Sequence, residues 1–158
     1  VEQGLNFNLA ENTDQNGNPR KGFFTVVVDD GSGNTPQPVL DLVTAAVEAV
    51  RGFTIGYTVV RATKVTVSAS LNIKVNSGVN AQPIQQKVVG AIVDYINALK
   101  IGQTLYVYDL IGVALNTDPN VLAVQVGSAL VNSSEADVSA TIFQVIRTVP
   151  SSVTVGTF

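Results

Sequence analysis

Hydrophobic residues along the chain repeat with two different periods, and these periods predict the first elements. The segment FFTVVVD at 23–29 is β-branched and aromatic, and glycines bound it on both sides, which predicts a mostly buried strand. From 36 to 51 the period changes to that of an amphipathic helix, with proline in its first turn and Gly52 after its end. The predicted buried face of this helix consists of Val39, Val43, Ala46 and Val50. The segment YTVVR at 57–61 predicts a second strand.

A strict alternation of apolar and polar residues follows in VTVSASLNIKV at 65–75. The residues expected to point inward are Val65, Val67, Ala69, Leu71, Ile73 and Val75. The residues expected to point outward are Thr66, Ser68, Ser70, Asn72 and Lys74. This two-residue repeat predicts a half-buried strand whose polar face meets water or a partner. Because that face is polar, we expect the chain alone to be a monomer or a weak oligomer.

The next segments predict a long helix, a short helix and another strand. The long helix is expected over 82–100, where Gly90 in mid-helix indicates a close backbone approach. Its inner stripe is expected to consist of Ile84, Val88, Ile92, Tyr95, Ile96 and Leu99. Asp109 is a suitable N-cap for a short helix over 110–116, and VLAVQVG at 121–127 predicts a buried strand.

The order of these elements predicts an α+β fold of the ferredoxin-like βαββαβ type. We expect its helices on one face of a mainly antiparallel sheet, with the short helix as an insertion. The polar segment 1–22 is expected to be an N-terminal arm, 23–131 the α/β domain, and 132–158 a C-terminal linker and β arm. The chain starts at Val1 and contains no methionine, which indicates a fragment or a processed product.

Composition removes several classes of chemistry. The chain has no cysteine and no histidine, so thiol catalysis, the usual zinc sites and histidine acid–base catalysis are not expected. The formal net charge of −3, with scattered lysines and arginines, gives no basic patch for nucleic acid. No apolar run approaches the ~18 residues of a membrane span. We therefore expect no enzyme, no cofactor, no nucleic-acid partner and no membrane.

The segment VVVDDGSGN at 26–34 is the most site-like stretch of the chain. Its turn residues are Asp29, Asp30, Gly31, Ser32 and Gly33. Aspartate and glycine allow a strand to turn sharply, so the segment predicts a structural corner. The alternative is a calcium loop, whose candidate ligands are Asp30, Ser32, Asn34 and Asp41. That loop type needs glycine where the chain has Thr35, and glutamate where it has Asp41.

Two tyrosines at alternate positions, Tyr106 and Tyr108, precede the short predicted helix. They are compatible with a small binding surface. The commoner arrangement is a pair of strand tyrosines that keep one edge in water, and we expect that one here.

The order of several short motifs resembles the C-terminal part of the baseplate J-like proteins of phage tails, over about residues 22–131. In that family a strand ends in a V-D-D-G-S-G type turn, and a helix begins with proline and ends with arginine and glycine. A segment I-N-x-L-x-I-G-x-x-L then leads into a short helix. The matching positions here are 28–33, Pro36 and Pro38, Arg51 and Gly52, and 96–105.

This resemblance implies a structural component of a phage or prophage tail baseplate wedge. Its implied partners are other baseplate proteins and copies of itself around a six-fold axis. The implied location is the virion tail, with the host cytoplasm during assembly. The alternative is a surface or receptor-binding module, in which the loops TDQNGN at 13–18 and DDGSGN at 29–34 bind a ligand or are stabilised by calcium.

Overall fold

The computed structural model describes residues 5–158, and their fold is mixed α+β with mostly antiparallel strand pairs. The three helices are α1 (Gln37–Val50), α2 (Ala81–Ala98) and α3 (Val107–Thr117). The first strands are β1 (Asn6–Thr13), β2 (Pro19–Asp29), β3 (Gly56–Arg61), β4 (Thr63–Thr66) and β5 (Ala69–Val75). The later strands are β6 (Thr104–Leu105), β7 (Val121–Val124), β8 (Leu130–Val131), β9 (Val138–Ser139), β10 (Gln144–Arg147) and β11 (Val153–Thr157).

The chain divides into two compact units. Of the described residues, the first unit holds those up to Val65 together with Lys100–Gln103 and Ala140–Val145. The second unit holds Thr66–Leu99, Thr104–Ser139 and Ile146–Phe158. Each unit is therefore built from segments that are distant in sequence.

The first unit is a three-stranded sheet in the order β1-β2-β3. β1 pairs with β2 as an antiparallel hairpin, and β2 pairs with β3 in parallel through the crossover helix α1. The central strand β2 is buried on both faces from Phe23 to Asp29, which explains the continuous apolar run there. On one face, Val26 and Val28 pack with Leu40 of α1. On the other face, Val27 packs with a separate apolar cluster of Ala62, Ile101 and Val145.

The second unit is organised around β5, which pairs with β11 in parallel and with β7 and β8 in antiparallel fashion. The alternation predicted for this strand is confirmed where the strand is regular, because Ala69, Leu71 and Ile73 are buried. Helix α2 packs against β5 and β11, and α3 packs against α2 and β7. The buried residues of α2 are Ile84, Val88, Ile92, Val93 and Ile96.

The ferredoxin-like arrangement is not confirmed, because the strands that it needs in one sheet belong to separate sheets. β2 and β3 pair in the first unit, whereas β5 and β7 pair in the second. The segment predicted as one strand over 65–75 is also interrupted. The backbone N–H of Ser68 donates to the Asn132 side chain at 3.0 Å instead of to a neighbouring strand. The strands predicted to share one sheet therefore belong to two different sheets.

The segment predicted as an N-terminal arm contains a strand, and the segment predicted as a linker and β arm contains β9, β10 and β11. β1 lies within the predicted arm 1–22, whose first four residues are outside the described range, and it pairs with β2 along most of its length. In the predicted arm 132–158, Thr148 exchanges two backbone hydrogen bonds with the side chain of Asn97 on α2. Val145 and Ile146 are fully buried. These segments are held by hydrogen bonds to distant parts of the chain. The apolar content of a segment does not predict such bonds.

Three local expectations about the helices are also corrected. The buried residue of α1 is Leu40, whereas Ala46 and Val50 of the predicted face are exposed. Gly90 faces open space, since a Cβ placed there would meet no atom within 4 Å. Asp109 is in the first turn of α3 and is not its N-cap, because the helix begins earlier, after Tyr106.

Candidate functional site

The segment 29–34 forms a sharp corner between β2 and α1. Asp29 is buried at the end of β2, and Asp30 is partly buried just after it. Gly31 and Gly33 have φ angles of 88° and 72°, which lie in the left-handed region that favours glycine. The two glycines therefore let the chain reverse direction within a few residues.

Hydrogen bonds inside the corner occupy its polar atoms. Asp30 Oδ1 accepts bonds from the backbone N–H of Ser32 at 3.0 Å and from its hydroxyl at 2.6 Å. The Ser32 oxygen in turn accepts from the backbone N–H of Asn34 at 3.0 Å. Burial raises the pKa of Asp30 and the bonds from Ser32 lower it, with a net lowering. These contacts are typical of an Asx turn.

Two further side chains fasten the corner to the sheet and to α1. The Thr35 hydroxyl donates to the carbonyl of Val28 and accepts from the backbone N–H of Asp30, at 3.2 Å in both cases. Arg61 of β3 donates to the carbonyl of Thr35 and, at 2.9 Å, to the side-chain carbonyl of Gln37. The corner is thus held from both sides, which is a structural role.

The calcium candidates divide between this corner and the helix. Asp30, Ser32 and Asn34 are in the corner, whereas Asp41 is exposed on α1 and accepts a 2.9 Å bond from Gln37. Within residues 5–158, no group of three or more acidic, histidine or cysteine side chains is arranged to hold a metal ion. The local bonds of Asp30 and Ser32 compete with any ion for the same oxygens.

The second Asp/Asn/Gly loop, between β1 and β2, is closed in the same way. Asp14 accepts from the backbone N–H groups of Asn16 and Asn18 at 2.9 Å, and from the Asn18 amide at 3.2 Å. These bonds, those from Asn18 first, lower the pKa of Asp14. The loop is an ordered hairpin turn that satisfies its own carboxylate.

The two tyrosines expected on a strand are at the start of α3. Tyr106 is the N-cap residue, and Tyr108 is inside the helix with 81% of its surface exposed. The cap hydrogen bond comes from a distant residue, because the backbone N–H of Val107 donates to Asp137 at 2.9 Å. Asp109 accepts a bond from Tyr95 instead of capping the helix. The tyrosines do not form one surface on a strand.

An apolar groove between β1 and α1 is the feature that the sequence interpretation missed. Leu5, Phe7 and Leu9 form one wall, and α1 contributes Ala46 and Val50 to the other. The groove has a volume of about 490 Å³. The alternation of apolar and asparagine residues in LNFNL at 5–9 was the signal for a strand with one apolar face, but the polar composition of the segment obscured it.

Comparison of the sequence with models of known protein families finds no match, and no curated protein matches it. No helix within residues 5–158 is long and apolar enough to cross a membrane.

Proposed function

We propose that the protein is a structural component of a phage or prophage tail baseplate that acts through protein–protein contacts. The observation that carries this proposal is the order of the short motifs that resemble the baseplate J-like family. The V-D-D-G-S-G turn is at the end of β2, and proline precedes α1. Arg51 is the C-cap of α1, and the segment 96–105 runs from the last residues of α2 to the end of β6.

The chemistry of the described surface supports an assembly role. In the two polar loops, the carboxylates of Asp30 and Asp14 accept hydrogen bonds from their own loops, as expected for structural turns. Phe7, Leu9 and Val50 line one groove of the first unit and have 65%, 50% and 83% of their surface exposed. Clustered apolar surface of this kind marks contact sites on soluble domains. In this proposal the partners are other tail proteins and further copies of the chain around a six-fold axis, without nucleic acid, membrane or catalysis.

Sedimentation of tail particles tests the proposal. Particles prepared from the organism that encodes this sequence are separated on a density gradient, and each fraction is analysed by mass spectrometry. We expect peptides of this chain to peak with the tail-tube and baseplate proteins at a constant ratio. Peptides found only in the soluble or envelope fractions would contradict it.

A further inference from the structure

The apolar groove of the first unit exists because one helix covers only part of a three-stranded sheet. Strands are about 4.8 Å apart and a helix is about 10 Å wide, so a single helix covers roughly two strands. Leu40 of α1 packs on Val26 and Val28 of β2, with Val59 of β3 beside them. The same face of β1 is left open, and Phe7 and Leu9 are 65% and 50% exposed there.

The dimensions of this gap match a second helix beside α1. The groove is lined on this side from Leu5 to Leu9, so the open strip is roughly 14 Å long, which corresponds to about nine helical residues. The wall that α1 presents contains Ala46, whose small side chain allows another helix to approach closely. A helix placed there covers β1 as α1 covers β2 and β3.

The charges around the groove define the chemistry of the occupant. Arg51 is the charged residue among those that line it. Its guanidinium makes two 2.7 Å hydrogen bonds to the carboxylate of Glu48, which neutralises it locally. The occupant should therefore present an uncharged apolar face to the groove, because burying an unpaired charge there would be costly.

The edge of β1 is less suited to binding an added strand. The outer backbone groups of this strand are already partly satisfied by side chains. The Asn8 side chain accepts from the backbone N–H of Leu9 at 3.0 Å, and the Thr13 hydroxyl donates to the carbonyl of Glu11 at 2.8 Å. The register with β2 also shifts between Glu11 and Thr13, and Asn12 there has a φ of 50°. Such irregularities protect edge strands from pairing with other chains.

A second copy of the chain is also a poor occupant. In a two-fold symmetric pair the same surface meets itself, so the concave groove would face another concave groove and stay unfilled. In a ring of copies the groove would meet a different surface of the neighbour, but the three helices of residues 5–158 pack their buried residues within their own unit. We therefore propose that the groove between β1 and α1 binds an amphipathic helix of another protein chain, with the apolar face of that helix against Leu5, Phe7 and Leu9. This inference rests on the proposed assembly function for the identity of the partner as another tail protein.

A synthetic helix is the probe for this proposal. It is a 15-residue stapled peptide with leucine and alanine on one face and balanced lysine and glutamate on the other. The matched probe has the same composition with strictly alternating leucines, so that it favours an extended strand. Binding of each labelled peptide to the full chain is measured by fluorescence anisotropy, together with cosedimentation of the chain with phosphatidylcholine vesicles.

We expect the helical peptide to bind, and Leu9→Gln to weaken binding by about tenfold through loss of apolar contact. Leu122→Gln is the matched control, since Leu122 is also a strand leucine and is 55% exposed in the second unit. It should leave the affinity unchanged. Val50→Gln changes the opposite wall of the groove, at an exposed position of α1, and should also weaken binding. This second variant keeps the test decisive in case Leu9→Gln does not fold.

Several results would overturn the proposal. These are no binding of the helical peptide, preferred binding of the extended peptide, binding to vesicles, or a dimer of the chain that Val50→Gln dissociates. Failure of peptide binding with this chain still present in tail particles would refute the groove and leave the assembly function intact. Binding of the helical peptide, with this chain absent from tail particles, would support the groove as a helix-binding site and refute the assembly function.

Discussion

The hydroxyl of Tyr95 on α2 donates a 2.6 Å hydrogen bond to the carboxylate of Asp109 on α3. Burial, and then this bond, raise the pKa of Tyr95 from 10.0 to about 12. We expect Tyr95→Phe to reduce the free energy of unfolding by about 1 kcal/mol at neutral pH, because a partly exposed bond to a charged acceptor is lost. Urea unfolding measures this value.

The same pair makes stability depend on pH in the alkaline range. The protonated phenol is favoured in the folded state, so its contribution is complete below pH 10.0 and is lost as the pH rises towards about 12. The stability difference between the wild type and Tyr95→Phe should therefore shrink over this range. Tyr108→Phe is the control, because Tyr108 is 81% exposed. A difference that stays constant from neutral pH to pH 12 would show that burial and the bond to Asp109 do not raise the pKa of Tyr95 in the folded chain.

The orientation of α1 is tested by two substitutions on different faces. Leu40 is buried at 5% exposure, so Leu40→Ala should cost about 2–5 kcal/mol. Val50 is 83% exposed, so Val50→Ala should change stability by less than about 0.5 kcal/mol. Urea unfolding of both variants checks the pair, and equal losses would mean that the helix packs through a different face.

Two glycines should respond oppositely to alanine. Gly90 is within α2 with open space around it, so Gly90→Ala should stabilise the chain by up to about 1 kcal/mol. At Gly56 a Cβ would be 2.7 Å from Cδ2 of Phe23, so Gly56→Ala should destabilise by about 1–3 kcal/mol. Thermal unfolding of the two variants measures both signs. If Gly90→Ala destabilised the chain, this would indicate that another backbone segment does approach Gly90 closely, as the sequence predicted.

Calcium should not stabilise the chain. The corner residues Asp30 and Ser32 are bonded to each other and to nearby backbone, and Asp14 is bonded to its own loop. An ion that bound only the folded chain would raise its melting temperature by mass action. We expect the same melting curve in millimolar calcium and in chelator. A rise in calcium that Asp30→Asn abolishes would favour the calcium-stabilised surface module instead.

Local patterns in the sequence were sufficient for several elements. The alternation around Leu71 and Ile73 reported burial correctly, because a half-buried strand has a fixed two-residue period. The residues of α2 that were predicted to be buried largely are so, since its apolar stripe is narrow. Apolar residues surround much of α1, so its periodicity did not distinguish Leu40 from Val50.

Long-range pairing was the part that local patterns did not determine. β1 pairs with β2, although its segment was predicted as a polar arm, and β11, from the segment predicted as a β arm, pairs in parallel with β5. Which strands share a sheet depends on contacts between distant residues, and single segments do not encode these contacts. For the same reason the corner at Asp30 was predicted from its own residues, whereas the groove at Phe7 requires β1 and α1 together.

Electron microscopy of labelled particles tests the central claim most directly. Antibodies raised against this chain are applied, with gold conjugates, to tail particles prepared from the organism that encodes it. The account predicts gold at the baseplate end of the tail, and no gold on particles from a strain that lacks the gene. Label along the cell surface, with none on the tail particles, would contradict a role in the baseplate.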